Sequence, residues 1–265
     1  MPVITIETQT VQYESDRQVI SAFLARPYGA PRSRAPVAGA SVGTPKYENR
    51  LAGALEQPQT GAPAILLLHE WWGLNDQMKS VARRFAEEGY VALAPDLYAC
   101  QGGKVTQDPQ EASTLMSNLS SQRSLRDLNA AVSFLKAQPF VDALSLGAVG
   151  FSMGASLALI MAGHNSDLKA VVAFYGKVPL IETFKYQLCP ILFHHAGKDG
   201  WVTSQEVERL RQGFQQEGKP GEVAVYPDAD HAFFNDTRPD VYRGGDAELA
   251  WRRTLSFLGQ HVRQP

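Results

Sequence analysis

Near the middle of the chain, Gly150-Phe151-Ser152-Met153-Gly154 forms a G-x-S-x-G motif. A serine hydroxyl is a weak nucleophile unless a general base takes its proton and a third group orients that base. Two downstream runs offer the partners. Ala196-Gly197-Lys198-Asp199 places a carboxylate after one apolar run, and Pro227-Asp228-Ala229-Asp230-His231 places an imidazole after another. With Ser152 as nucleophile, His231 as base and Asp199 as the orienting acid, the chemistry would be acyl transfer through a covalent intermediate. The oxyanion of such a reaction needs backbone N–H donors. One is expected from Met153, directly after the nucleophile, and one from the Glu70-Trp71-Trp72-Gly73 segment. Trp71, Trp72, Phe233 and Phe234 flank these residues and are candidates for lining the substrate pocket.

Metal chemistry finds less support. His69-Glu70 opens an H-E-x-x-H pattern, but position 73 is Gly, so the second ligand is missing. Asp228, Asp230 and His231 could bind a metal only with a more distant ligand added. No metal and no organic cofactor is expected. Asp96 precedes the serine and is less suited to the acid's role, and His194 and His195 read as structural residues at a strand end.

The elements that must position these residues follow from periodicity. Apolar runs at Ala64–Leu68, Val91–Ala94, Leu146–Phe151, Ala170–Tyr175, Pro190–His195 and Val223–Tyr226 read as buried strands. Helical segments are expected at Gln77–Glu88, Gln122–Ala137, Ala155–Gly163, Ser204–Glu217 and Asp246–Val262. In the second, Leu125, Leu128, Val132 and Leu135 recur on one helix face. Strand–helix alternation with apolar strands predicts an α/β fold, a mainly parallel sheet with helices on both faces, across one domain spanning 1–265. Residues 2–26 read as a short N-terminal hairpin or meander. Pro27–Pro63 holds 6 of the 16 prolines and 5 of the 22 glycines and reads as a surface loop insertion.

Ala143–Ser166 carries no Lys, Arg, Asp or Glu over 24 residues, long enough to span a bilayer. Glycines at 147, 150 and 154 disfavour one continuous helix there. The stretch reads instead as a buried strand turning into a buried helix at Ser152, the context in which a G-x-S-x-G serine is held at the carboxyl end of a sheet. Side chains two positions before and after the serine would clash, which accounts for Gly150 and Gly154. The formal net charge of −2 carries no basic excess for nucleic acid. Cys100 and Cys189, 89 residues apart, exclude a disulfide framework and a C-x-x-C motif. The opening MPVITIETQT has neither part of a signal peptide, so a cytoplasmic protein without a membrane partner is expected, as a monomer or homodimer.

His69-Glu70-Trp71-Trp72-Gly73-Leu74-Asn75, Gly89–Tyr98, Gly150–Gly154, Gly197-Lys198-Asp199 and His231–Asn235 together resemble the dienelactone hydrolase family of α/β-hydrolases. The resemblance runs from about Ala64 to Leu258. It implies a lid-poor hydrolase whose triad is Ser152, Asp199 and His231. It also implies that Glu70 lies close to the nucleophile and that the Trp71 N–H joins the Met153 N–H in the oxyanion hole. The chain departs from the family at the nucleophile, which is serine where dienelactone hydrolases proper use cysteine. It departs again at Asn235, where an arginine would grip a substrate carboxylate. Between Tyr98 and Asp127 the only arginines are Arg123 and Arg126, so no pocket arginine is expected. A small carboxylic ester or lactone is the expected substrate, apolar or aromatic rather than an anionic lactone, with its acyl and alcohol parts open. A thioester or peptide substrate would use the same triad, and a catalytically silent binding or sensor module on the same fold is the non-enzymatic alternative.

Overall fold

The structure, a computed structural model, describes residues 5–28 and 61–263. Most of the expected Pro27–Pro63 loop therefore lies outside the described residues. Among the described residues eight strands form one sheet in the order β1-β2-β4-β3-β5-β6-β7-β8. They are β1 (Ile6–Ser15), β2 (Gln18–Pro27), β3 (Ala62–Leu68), β4 (Val91–Pro95), β5 (Val141–Phe151), β6 (Leu168–Phe174), β7 (Ile191–Ala196) and β8 (Gly221–Tyr226). β1 and β2 are an antiparallel hairpin that joins β4 antiparallel, and β3 to β8 are mutually parallel.

Among the described residues the α-helices are α1 (Asp76–Glu87), α2 (Pro109–Ser117), α3 (Ser121–Lys136), α4 (Met153–Met161), α5 (Ser204–Gln216) and α6 (Gly244–His261). In α1 the buried Met78, Val81, Ala82, Phe85 and Ala86 repeat at helical spacing, and the Asn75 side chain caps the Met78 N–H. That apolar stripe shares a core layer with α6 and with Ile65 and Leu67 of β3, while Ala64, Leu66 and Leu68 belong to the opposite layer, with α3, α4 and α5. Alternate residues of β3 thus enter opposite layers, as a strand buried on both faces requires. The uncharged stretch is the end of β5 running into α4, both buried. Among the described residues no helix is long and apolar enough to cross a membrane.

Helix α2 was not expected from periodicity. It has only two buried residues, Ala112 and Leu115, so its apolar signal is weak. Its start is nonetheless written locally, with Asp108 capping the Gln110 N–H and Pro109 in the first turn.

Candidate active site

The carboxyl ends of β3, β5, β6, β7 and β8 lie along one edge of the sheet, and each is followed by a residue of the site. Ser152 sits between β5 and α4 with φ 50° and ψ −113°, a conformation rarely adopted by a residue with a Cβ. Two glycines permit the turn. A Cβ on Gly150 would lie 2.3 Å from the Gly154 carbonyl oxygen, and one on Gly154 would lie 2.4 Å from that of Leu68. The Ser152 N–H donates to the Phe174 carbonyl (2.9 Å), which anchors the turn to β6.

Ser152 Oγ lies 2.8 Å from His231 Nε2, and His231 Nδ1 lies 2.8 Å from Asp199 Oδ2. The other Asp199 oxygen accepts the backbone N–H groups of Trp201 (2.7 Å) and Val202 (3.0 Å). Burial alone would raise the Asp199 carboxyl, but the hydrogen bond and charge of His231, with these two N–H donors, hold it below its ordinary value. The loops carrying acid and base are also joined to each other. The Lys198 N–H donates to the Ala229 carbonyl (2.9 Å), and the Gly197 N–H to that of Tyr226 (2.8 Å).

Met153 is the first residue of α4, so its N–H belongs to the first turn, which has no intrahelical acceptor. Trp71 lies on the loop after β3, and the loop after β4 holds it in place. The buried Tyr98 hydroxyl donates to the Trp71 carbonyl (2.9 Å) and lies 3.4 Å from Met153 Sδ, touching both residues expected to supply oxyanion donors. His69 reinforces this loop. Its Nε2 accepts the Leu97 N–H (3.0 Å), which puts its proton on Nδ1, facing the Glu70 carbonyl at 2.5 Å. Burial lowers the His69 pKa to about 4, so the ring serves as a neutral bridge.

Glu70 is buried on the pocket wall. Its carboxylate accepts the Tyr175 hydroxyl at Oε1 (3.0 Å) and Asn235 Nδ2 at Oε2 (2.9 Å). Asn235 cannot reverse this polarity. Its Oδ1 already accepts the Thr237 N–H (3.1 Å) and hydroxyl (2.7 Å), which turns its NH2 toward Glu70. Burial raises the Glu70 pKa, opposed by those hydrogen bonds and by the charges of His231 and Arg238.

A cavity of about 600 Å³ opens onto Ser152 and His231. Trp71 and Trp72 line it as expected, and so do Trp201, Met116, Met153, Val202 and Val241. Phe233 and Phe234 require correction as pocket residues. Ala232 adopts φ 66°, which reverses the chain after His231 and sends both rings into the core. Phe233 packs on Tyr226 and Tyr175, and Phe234 on Phe151 and Phe174. The expectation of no pocket arginine is also corrected. Arg238, seven residues after His231, lines the cavity, as do Lys177 and Lys198. Each cation has an acidic partner: Arg238 forks onto Asp240, Lys177 pairs with Glu206 and Lys198 with Asp228.

Residues 51–262 match the dienelactone hydrolase family. The chain belongs to that family. It is 34% identical over 222 residues to Protein usf of Aquifex pyrophilus, covering 80% of this chain and 94% of that one. It is 33% identical over 211 residues to a protein of Methylorubrum extorquens provisionally named a carboxymethylenebutenolidase, covering 75% of this chain and 72% of the relative. Among solved structures, a protein provisionally described as a dienelactone hydrolase, from Klebsiella pneumoniae, superposes with a TM-score of 0.81 at 26% identity, over 97% of this chain and all of that one. The acylaminoacyl peptidase of Pyrococcus horikoshii shares the fold, with a TM-score of 0.69 at 13% identity over 99% of this chain and 43% of its own. The fold is thus that of the α/β-hydrolases.

Proposed function

We propose that this member of the dienelactone hydrolase family hydrolyses a small carboxylic ester or lactone through a Ser152–His231–Asp199 triad. The observation that carries the reading is the unbroken relay of two 2.8 Å contacts from Ser152 Oγ through His231 to Asp199, at the mouth of an apolar cavity. His231 Nε2 takes the hydroxyl proton as Ser152 Oγ bonds to the carbonyl carbon. The oxyanion is held by the Met153 and Trp71 N–H groups, and Asp199 stabilises the imidazolium. When the tetrahedral intermediate collapses, the carbon–oxygen bond to the alcohol breaks and His231 returns the proton to the leaving oxygen. Water, deprotonated by the same histidine, then releases the acid and restores Ser152.

In this reading Glu70 does not take protons from the nucleophile. Its two oxygens are occupied by Tyr175 and Asn235, so it ties the loops after β3, β6 and β8 together around the site. The cavity cations are each neutralised by a neighbouring acid, which favours an uncharged substrate. A carboxylated ester is the second reading, favoured by the position of Arg238 on the wall. Comparing a neutral ester with its ω-carboxylate in wild type and Arg238→Met separates the two.

The test of the main reading is covalent labelling by a fluorophosphonate, mapped by mass spectrometry, alongside turnover of p-nitrophenyl acetate. Label on Ser152, and loss of both signals in Ser152→Ala, are expected. A native protein that neither labels nor turns over would instead fit a binding module. Preferential turnover of acyl thioesters or peptide amides would redirect the assignment to those substrates.

A further inference from the structure

Three of the chain's four tryptophans, Trp71, Trp72 and Trp201, line the cavity. Trp201 is anomalous among them because 54% of it is exposed, although burying an indole is one of the larger apolar gains a chain can make. Its position is set by its backbone rather than by its ring, since its N–H is one of the two that bind Asp199. The ring stands over the site. It meets Trp71 edge to face, with centroids 5.7 Å apart and planes at 68°, and its centroid is 6.3 Å from the His231 ring. Two indole planes meeting at such an angle form a corner. A planar ring laid on one face would present its edge to the other, and both contacts are geometries that aromatic pairs prefer.

We propose that Trp71 and Trp201 form a binding corner for a planar aromatic group on the alcohol side of the scissile ester. This rests on the ester-hydrolase reading above. The side follows from the chemistry of the base. His231 must hand its proton to the leaving oxygen, so the alcohol part lies beside His231, and Trp201 is the indole next to that ring. Saturated rings of equal size bury similar apolar area but lack the flat face and polarised edge, so the corner discriminates by shape and quadrupole. The cations of the wall do not compete for the indole faces at this corner: Lys177 and Lys198 are paired with acids, and Arg238 stacks toward Trp72 at 5.6 Å.

The test compares kcat/KM for benzyl acetate and cyclohexylmethyl acetate, whose leaving groups have similar basicity, and for methyl phenylacetate and methyl cyclohexylacetate, which move the ring to the acyl side. Wild type is expected to favour benzyl over cyclohexylmethyl by about 2- to 13-fold, the range of a single aromatic contact, with little preference in the acyl pair. Trp201→Leu should bring the alcohol-side ratio close to 1, and Trp201→Phe should keep most of it. Both variants retain the backbone N–H that binds Asp199. An unchanged ratio in Trp201→Leu, or a preference confined to the acyl pair, overturns the corner while leaving ester hydrolysis standing. Tryptophan fluorescence titration of Ser152→Ala with the two acetates reads the same selectivity without turnover. If wild type hydrolyses none of the esters yet Ser152→Ala still binds the benzyl ester more tightly, the hydrolase reading fails and the corner survives as a binding site. Equal binding of the two acetates sinks the corner.

Discussion

Replacing Tyr98 by phenylalanine removes one oxygen from the site and leaves the buried ring in place. That oxygen donates to the Trp71 carbonyl and touches Met153 Sδ, so it links the two residues assigned the oxyanion donors. If the loop after β3 stays put, a polar carbonyl loses its donor, at a cost of ~1–3 kcal/mol in stability. If the loop instead moves to rehydrate the carbonyl, the Trp71 N–H moves with it, and the ceiling is the loss of one whole donor, ~2.7–4 kcal/mol in the transition state. His69 still ties the Glu70 carbonyl, at Nδ1, to the Leu97 N–H, at Nε2, so the movement is partial. The expected result is a fall in kcat of about 10- to 100-fold, or ~1.4–2.7 kcal/mol, with KM changed less than ~3-fold. A boronic acid that mimics the tetrahedral intermediate should weaken in proportion to kcat/KM. Melting temperature should drop by ~2–4 °C per kcal/mol of lost stability. A variant that melts earlier but turns over normally would show that the hydroxyl serves stability alone. A raised KM with intact kcat would assign it to substrate binding instead.

Gly154→Ala would put a methyl group 2.4 Å from the Leu68 carbonyl oxygen and 2.6 Å from that of His69, backbone atoms that cannot give way cheaply. A loss of at least ~1–3 kcal/mol in urea unfolding is expected, and wild-type stability would refute the close approach of α4 to β3. Glu70→Gln should cost ~1.5–3 kcal/mol: Thr237 fixes Asn235 as a donor, so the glutamine must turn its oxygen to Asn235 and make the Tyr175 hydroxyl an acceptor, and both charge-assisted bonds are lost. Adding Asn235→Asp reverses the polarity of that contact and should recover at least half of the loss; no recovery would mean that the carboxylate charge matters more than the hydrogen-bond pattern. The depressed pKa of Asp199 gives stability that is full above the unfolded carboxyl value of about 4 and is lost as pH falls through the lower folded value. The stability gap between wild type and Asp199→Asn should therefore close below about pH 4, and a gap constant from pH 6 to pH 2 would rule this linkage out.

Much of the frame was legible because buried parallel strands and one-faced helices leave strong periodic signals. The run Ala64–Leu68 is the core of β3, and the Leu125–Leu135 face is that of α3. The order and loop positions of Ser152, Asp199 and His231 were equally visible, since each directly follows an apolar strand. Side-chain direction in loops was not. Phe233 and Phe234 adjoin His231 in the chain, yet one left-handed residue, Ala232, separates wall from core. Trp201 and Arg238 reach the cavity from loop positions that carry no periodicity, so nothing in their spacing announces them. By its apolar run Tyr175 reads as the end of a strand. Its φ of 42° instead turns its hydroxyl toward Glu70, a contact spanning 105 residues of sequence.

The reversal at Ala232 bears on how the protein should lose activity on heating. The histidine hangs from two aromatic rings, Phe234 sunk among β5, β6 and α6 and Phe233 against Tyr226 of β8 and Tyr175, so its loop should not fray while those elements hold. Thermal inactivation and the collapse of the near-ultraviolet aromatic signal should then share one midpoint, rather than activity fading first as it does where a catalytic loop is loosely tethered. A shared midpoint would make the working end of the sheet and its interior a single cooperative unit.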